Sequence, residues 1–157
     1  MSATTTMITT DLELPEAPVP LPDGAWLVAE LNTDRGTVVR ITADGKREPI
    51  AQTGRPNGLA ERRDGSFWVC ESLDPAVLRL ELSGEYTREL EEVEGKGLMW
   101  PNDLCFGPDG MLYVTDSGIL VNDFLIDGKP IDGAENAQTD GLVFGFNPDS
   151  GDAWLID

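Results

Sequence analysis

"RPNGLAERRDGSFWVCES", residues 55–72, is answered later in the chain by "WPNDLCFGPDGMLYVTDS", residues 100–117. Both stretches keep Pro-Asn and Asp-Gly at one separation, and both follow Asp-Gly with aromatic and β-branched residues. "LPEAPVPLPDGAWLVAE", residues 14–30, obeys the same frame. Superposing Asp23-Gly24, Asp64-Gly65 and Asp109-Gly110 puts Pro15, Pro56 and Pro101 in one column. Glu16, Asn57 and Asn102 fall in the next, Val28, Val69 and Val114 in a later one, and Glu30, Glu71 and Asp116 close the frame. So many coincident slots, at a period of about 40–45 residues, mark an internal repeat.

The local chemistry of each unit is that of β structure. "WLVAE", "FWVCE" and "LYVTD" alternate apolar residues with others, the period of a strand. Asp-Gly ahead of each run reads as a tight turn, because glycine takes positive φ without steric cost. Every unit then supplies a second pair of strands: "TVVRIT" with "KREPIA", "AVLRLEL" with "YTRELEEV", and "LVFGFN" with "AWLID". Four antiparallel strands per repeat predict an all-β fold of propeller blades. The expected divisions are a tail at 1–14 and blades at 15–53, 54–98 and 99–157, the last with an insertion at 117–141. A β-sandwich with accidental similarity is the alternative. Propellers close with roughly four to eight blades. Three units therefore predict half of a six-bladed ring, or a half that pairs with a second chain. The segment "MITTDLEL", residues 7–14, reads as a spare strand for the last blade of such a ring.

Composition narrows the function classes. The 157 residues carry 29 acidic and 11 basic side chains, a net charge of −18. That surface repels nucleic acid and anionic lipid. The N-terminus has neither a basic start nor an apolar run, so no secretory signal is expected. No stretch reaches the length of a membrane span. Cys70 and Cys105 sit in β-type runs and read as buried free thiols, which fits a cytoplasmic protein. Histidine is absent, which removes Ser-His-Asp and Cys-His catalysis and the common zinc sites.

The chemistry left to the chain rests on oxygen. The first strand of a blade lies nearest the propeller axis, so Glu16, Asn57 and Asn102 are expected around the mouth of the central channel. The proline before each fixes its own φ and biases its predecessor toward extended backbone. A ring of carboxylate and amide oxygens suits a hard divalent cation such as Ca2+. Glu16 and Asn102 are thus candidate metal ligands. Asn57 and Asn102 are candidate substrate contacts. The competing reading makes all three caps of strand starts. Glu30, Glu71 and Asp116 read as structural anchors between blades.

These motifs resemble the gluconolactonase and regucalcin (senescence marker protein) family. The likeness rests on "LPEAPVPLPDGAWLVAE", "GRPNGLAERRDGSFWVCE" and "WPNDLCFGPDGMLYVTDSG", covers about residues 14–118 and continues weakly to 157. It implies a six-bladed, calcium-dependent hydrolase of sugar lactones or related esters. The family's first-blade glutamate, a calcium ligand, falls on Glu16, and its Pro-Asn-Asp asparagine falls on Asn102. The glycine that follows the glutamate in the family is Ala17 here. The place of a basic residue that helps hold substrate in several members is taken here by Trp100, a departure from the family pattern. The family's further asparagine ligand and its catalytic aspartate come from later blades, so no catalytic residue is assigned in this chain. A non-enzymatic propeller binding a ligand or protein, and an inactive truncated relative, are the alternatives. The insertion leaves the second strand of its blade on the mouth side, where it is expected either to cover the site or to stand as a solvated acidic loop.

Overall fold

The computed structural model describes residues 4–32, 34–126 and 128–156. Strands β1 (Pro15–Pro20), β2 (Trp26–Glu30), β3 (Thr37–Ile41) and β4 (Arg47–Gln52) form one antiparallel sheet in chain order. Strands β5 (Pro56–Glu61), β6 (Phe67–Glu71), β7 (Ala76–Leu80) and β8 (Tyr86–Leu90) form the second. A small hairpin, β9 (Glu92–Val93) with β10 (Lys96–Gly97), leads to β11 (Pro101–Phe106) and β12 (Leu112–Asp116). The insertion follows, with a one-turn helix α1 (Val121–Phe124), the hairpin β13 (Leu125–Ile126) and β14 (Lys129–Pro130), and a 3-10 turn at Ala134–Asn136. Then β15 (Leu142–Phe146) and β16 (Ala153–Leu155) complete the third sheet in the order β11-β12-β15-β16. The chain is all-β, with three four-stranded blades.

Each Asp-Gly turn works as its sequence suggests. Asp23, Asp64 and Asp109 accept the backbone N–H two residues on, from Ala25, Ser66 and Met111, at 3.1, 3.0 and 3.1 Å. Gly24, Gly65 and Gly110 take φ of 84, 87 and 83°, the left-handed region that glycine enters freely.

Strand alternation then builds the core between blades. Leu27, Val38 and Ala51 of the first blade pack against Leu59, Phe67, Val69 and Leu78 of the second. The opposite face of the second blade presents Trp68, Cys70 and Val77 to Leu104, Leu112, Val114, Phe144 and Phe146 of the third. Trp68 lies edge-on to Phe106 with centroids 6.1 Å apart, and 5.7 Å from Phe146. Fully burying each such side chain is worth about 1.5–3 kcal/mol, so the two interfaces carry most of the cohesion. Among the described residues no helix is long and apolar enough to cross a membrane.

Two expectations fail at the open faces. Residues 7–14 form no strand. Instead Leu12 packs on Val28, Val39 and Ile41, the outward face of the first blade, and Met7 and Ile8 line a crevice beside Trp26 and Pro18. That face has no fourth blade against it, so the tail's apolar side chains are drawn onto it rather than into a ladder. The tail lies close: a Cβ on Gly45 would stand 2.2 Å from the Ile8 carbonyl oxygen. Cys105 is exposed, whereas Cys70 is buried. The same alternation that points Leu104 inward turns Cys105 to the outer face of the third blade, where Val143 remains 45% exposed.

Candidate functional site

The three repeated slots lie at one end of their blades. Pro15 pairs with Glu30, Pro56 with Glu71 and Pro101 with Asp116, so each slot adjoins the end of the second strand. At the slot every first strand also carries one extra residue: the register shifts between Glu16 and Val19, between Pro56 and Leu59, and between Pro101 and Asp103. A bulge re-aims a side chain out of the pleat. In the first blade it places Ala17 at φ 47°, a conformation that costs alanine roughly 1–2 kcal/mol. The inner strands also touch. A Cβ on Gly58 would lie 2.7 Å from the Cα of Asp103 and 3.0 Å from the carbonyl oxygen of Asn102, and β1 in turn contacts β5. The slots of adjacent blades are therefore neighbours.

Their side chains differ in setting. Glu16 is exposed, Asn102 is half-buried and Asn57 is buried. Asn102 donates from Nδ2 to Ser117 Oγ at 3.3 Å, which leaves its amide oxygen for another partner. All three offer oxygen, the donor type a hard cation takes. One carboxylate and two amides fall short of six to eight ligands, however. Among the described residues no group of three acids, cysteines or histidines is placed to hold a metal ion. Oxygen donor type is what these residues share with a cation site.

The buried acids have another task. Glu71, almost fully buried, accepts the Arg55 backbone N–H with both oxygens at 2.8 and 3.0 Å and the Leu73 N–H at 2.8 Å. Asp116 accepts from Met99, Trp100 and Gly118 at 2.8–3.2 Å. Glu30 accepts the Glu13 N–H at 3.0 Å and pairs with Arg35 at 3.1 Å and Arg47 at 2.5 Å. Each acid clasps the segment leading into the first strand of its own blade. They are anchors within blades rather than between them, and they hold the slot residues in position.

A feature the sequence reading passed over stands beside the slots. The guanidinium carbon of Arg55 lies 5.0 Å from the ring centroid of Trp100, and Trp100 meets Phe124 of the insertion edge-on at 6.0 Å. Arg55 and Trp100 each precede their slot asparagine by two residues, so the shared column was a usable signal of contact across blades. Arg55 Nη1 donates to Ser72 Oγ at 3.0 Å. Burial lowers its pKa, opposed by the nearby Glu71 carboxylate.

The insertion crosses the mouth end. Asn122, Leu125, Ile126, Gly128 and Lys129 face Leu31 and Asn32 of the first blade and Leu73 of the second around a cavity of about 670 Å³. That size suits a small organic ligand. The cavity lies where the second strands of the first two blades finish and is bordered by the insertion; Glu16, Asn57 and Asn102 do not line it.

Comparison with known proteins agrees with this architecture. No protein-family profile matches the chain. A curated gluconolactonase of Zymomonas mobilis is 27% identical over 124 residues, covering 70% of this chain and 35% of that protein. The structure of a gluconolactonase from Xanthomonas campestris superposes with a TM-score of 0.74 at 21% identity, covering 93% of this chain and 48% of that one. A virginiamycin B lyase from Staphylococcus aureus superposes with a TM-score of 0.61 at 19% identity over 91% of this chain and 41% of that one, so the fold is shared beyond one chemistry. The chain spans about a third of the curated relative's length and half of the structural one's. Sequence match, repeat and blade architecture together make this chain similar to the gluconolactonases over the part of their length that it spans.

Proposed function

We propose that this chain contributes the slot end of a divalent-cation-dependent hydrolase of sugar lactones or related esters. The observation that carries the reading is the common bulge at Glu16, Asn57 and Asn102, which brings three oxygen-bearing side chains to one end of adjacent blades. Glu16 and the Asn102 amide oxygen are the ligands this chain would give to Ca2+ or a similar ion. Bound there, the ion would supply Lewis-acid polarisation of a lactone carbonyl. The chain's own residues bind and orient: Asn57 and Asn102 offer amide donors and acceptors to the hydroxyls of a sugar ring, and the insertion borders a cavity at the same end of the blades. Glu16, the one carboxylate among the slot residues, is given to the ion, so a base for the attacking water and the remaining ligands would have to come from further blades closing the ring, in one polypeptide or from a second chain. The substrate is thus a small lactone or ester, and the free thiol of exposed Cys105 suits a cytoplasmic setting.

A non-enzymatic propeller is the second reading, favoured by the lack of a three-acid cluster among the described residues. Calorimetry with Ca2+, alongside proton release from glucono-δ-lactone, separates the two. Hydrolysis that rises with Ca2+ and falls in Glu16→Gln supports the hydrolase. Heat and turnover both at background support the binding module.

A further inference from the structure

Arg55 is the least explained charge in the fold. Its residue is only 7% exposed, yet among the described residues it makes no ion pair and its side chain has one hydrogen-bond acceptor, Ser72 Oγ. The Glu71 carboxylate is close enough to be felt, but its oxygens are taken by the Arg55 and Leu73 backbone N–H groups. Arginine presents five N–H donors in a planar fork. A buried charge stripped of water and left short of partners is unfavourable unless a partner arrives. Among the described residues Nε and Nη2 have no acceptor, so part of the fork is unused.

Its surroundings fix its direction. The guanidinium rests on the Trp100 ring at 5.0 Å, a cation–π contact that holds the plane while leaving the in-plane donors free. Trp100 is steadied by Phe124 of the insertion and by the Asp116 clasp on its backbone N–H at 3.1 and 3.2 Å. Two residues beyond the stacked pair lie Asn57 and Asn102, the slot residues of the same two blades. A rigid, half-satisfied guanidinium fork is the group that binds a planar oxyanion in two-pronged fashion.

We propose that Arg55, mounted on Trp100 and Ser72, forms a carboxylate-binding subsite that recognises polyhydroxy acids, the product class of lactone hydrolysis. The identity of the acid rests on the hydrolase reading, whereas the subsite itself rests on the Arg55 geometry. Opening of a lactone creates a carboxylate where a neutral ester stood, and Arg55 would hold that group while the slot asparagines hold the hydroxyls.

The test is a titration of the metal-free protein with sodium gluconate, sorbitol and sodium phosphate, following the indole N–H resonances by NMR. Gluconate should shift the Trp100 Nε1–H signal saturably, sorbitol should leave it in place at equal concentration, and Arg55→Gln should weaken gluconate binding at least tenfold. Arg55→Lys keeps the charge but loses the fork, and should fall between wild type and Arg55→Gln. Should Arg55→Gln fail to fold, Ser72→Ala and Arg55→Lys carry the test, each expected to weaken gluconate binding severalfold. Equal response to sorbitol, a tighter response to phosphate than to gluconate, or gluconate affinity unchanged in the folded variants would overturn the subsite. Because no metal or turnover is involved, loss of lactone hydrolysis with gluconate still bound at Arg55 rejects only the hydrolase reading. Hydrolysis without gluconate binding rejects only the subsite.

Discussion

Replacing Glu71 with alanine should damage the fold more than any change on the exposed strand β8. The carboxylate is 1% exposed and caps the Arg55 and Leu73 N–H groups at 2.8 Å each. Truncation leaves both donors short of a partner, at about 1–3 kcal/mol apiece. The space left behind adds a further loss, since the surroundings relax only in part. A total of about 3–6 kcal/mol would consume a large part of the 5–15 kcal/mol typical of a domain. Glu71→Gln keeps the volume and one carbonyl oxygen but not the charge assistance, so about 1–2 kcal/mol is expected. Glu85→Ala, at the exposed β7–β8 turn, is the control and should stay within about 0.5 kcal/mol of wild type. Urea denaturation followed by tryptophan fluorescence measures all three. An alanine variant as stable as the control would refute the clasp and, with it, the explanation of why an acid recurs at Glu30, Glu71 and Asp116.

Further outcomes follow from single contacts. Gly58→Ala would drive a methyl group to 2.7 Å from the Asp103 backbone, and should destabilise the second and third blades by about 1–3 kcal/mol; a melting temperature equal to wild type counts against close approach of the inner strands. Ala17→Gly relieves the strain of φ 47° and should stabilise by roughly 0.5–1 kcal/mol, read from the same urea curves. In the native state one thiol, Cys105, should react promptly with a disulfide reagent. Burial pushes the Cys70 thiol well up and encloses it, so it should react only after denaturation. Hydrogen bonds from Ala25 and from Ser66 hold the Asp23 and Asp64 carboxyls below their usual range, as the Tyr113 hydroxyl does for Asp109. A depressed folded-state pKa means stability that is present above the ordinary carboxylate pKa, near 3.9, and lost as pH falls through the lower folded value. Urea midpoints should therefore drop as pH falls below about 4, and Asp64→Asn should flatten part of that drop.

The sequence carried the fold because its signals were local and repeated. Asp-Gly turns, alternating strands and three registers of one frame each depend on neighbours in the chain, and the blades follow from them. The common end of Glu16, Asn57 and Asn102 was legible for the same reason. What failed depended on what lies across an open face. Cys105 and residues 7–14 both read as parts of paired, covered strands. The outer face of the third blade is uncovered, and the tail's Leu12 is worth more against Val28 and Ile41 than in a ladder. The stack of Arg55 on Trp100 joins residues 45 positions apart in equivalent slots. Neither residue is unusual alone, and only their shared column two residues before the slot hinted at the contact. The buried acids were recognised as structural, but their partners, backbone N–H groups of the lead-in segments, have no signature in side-chain type.

The oxygens of the repeated slot can be tested for a shared ion directly. Terbium, a luminescent stand-in for calcium, is excited by energy transfer from a nearby indole, and Trp100 stands two residues from Asn102. A saturable terbium signal that calcium displaces, and that both Glu16→Gln and Asn102→Ala abolish while Glu85→Gln does not, is the predicted result. A signal indifferent to Glu16 and Asn102, attributable to the chain's general negative charge, would contradict the convergence on which the hydrolase reading stands.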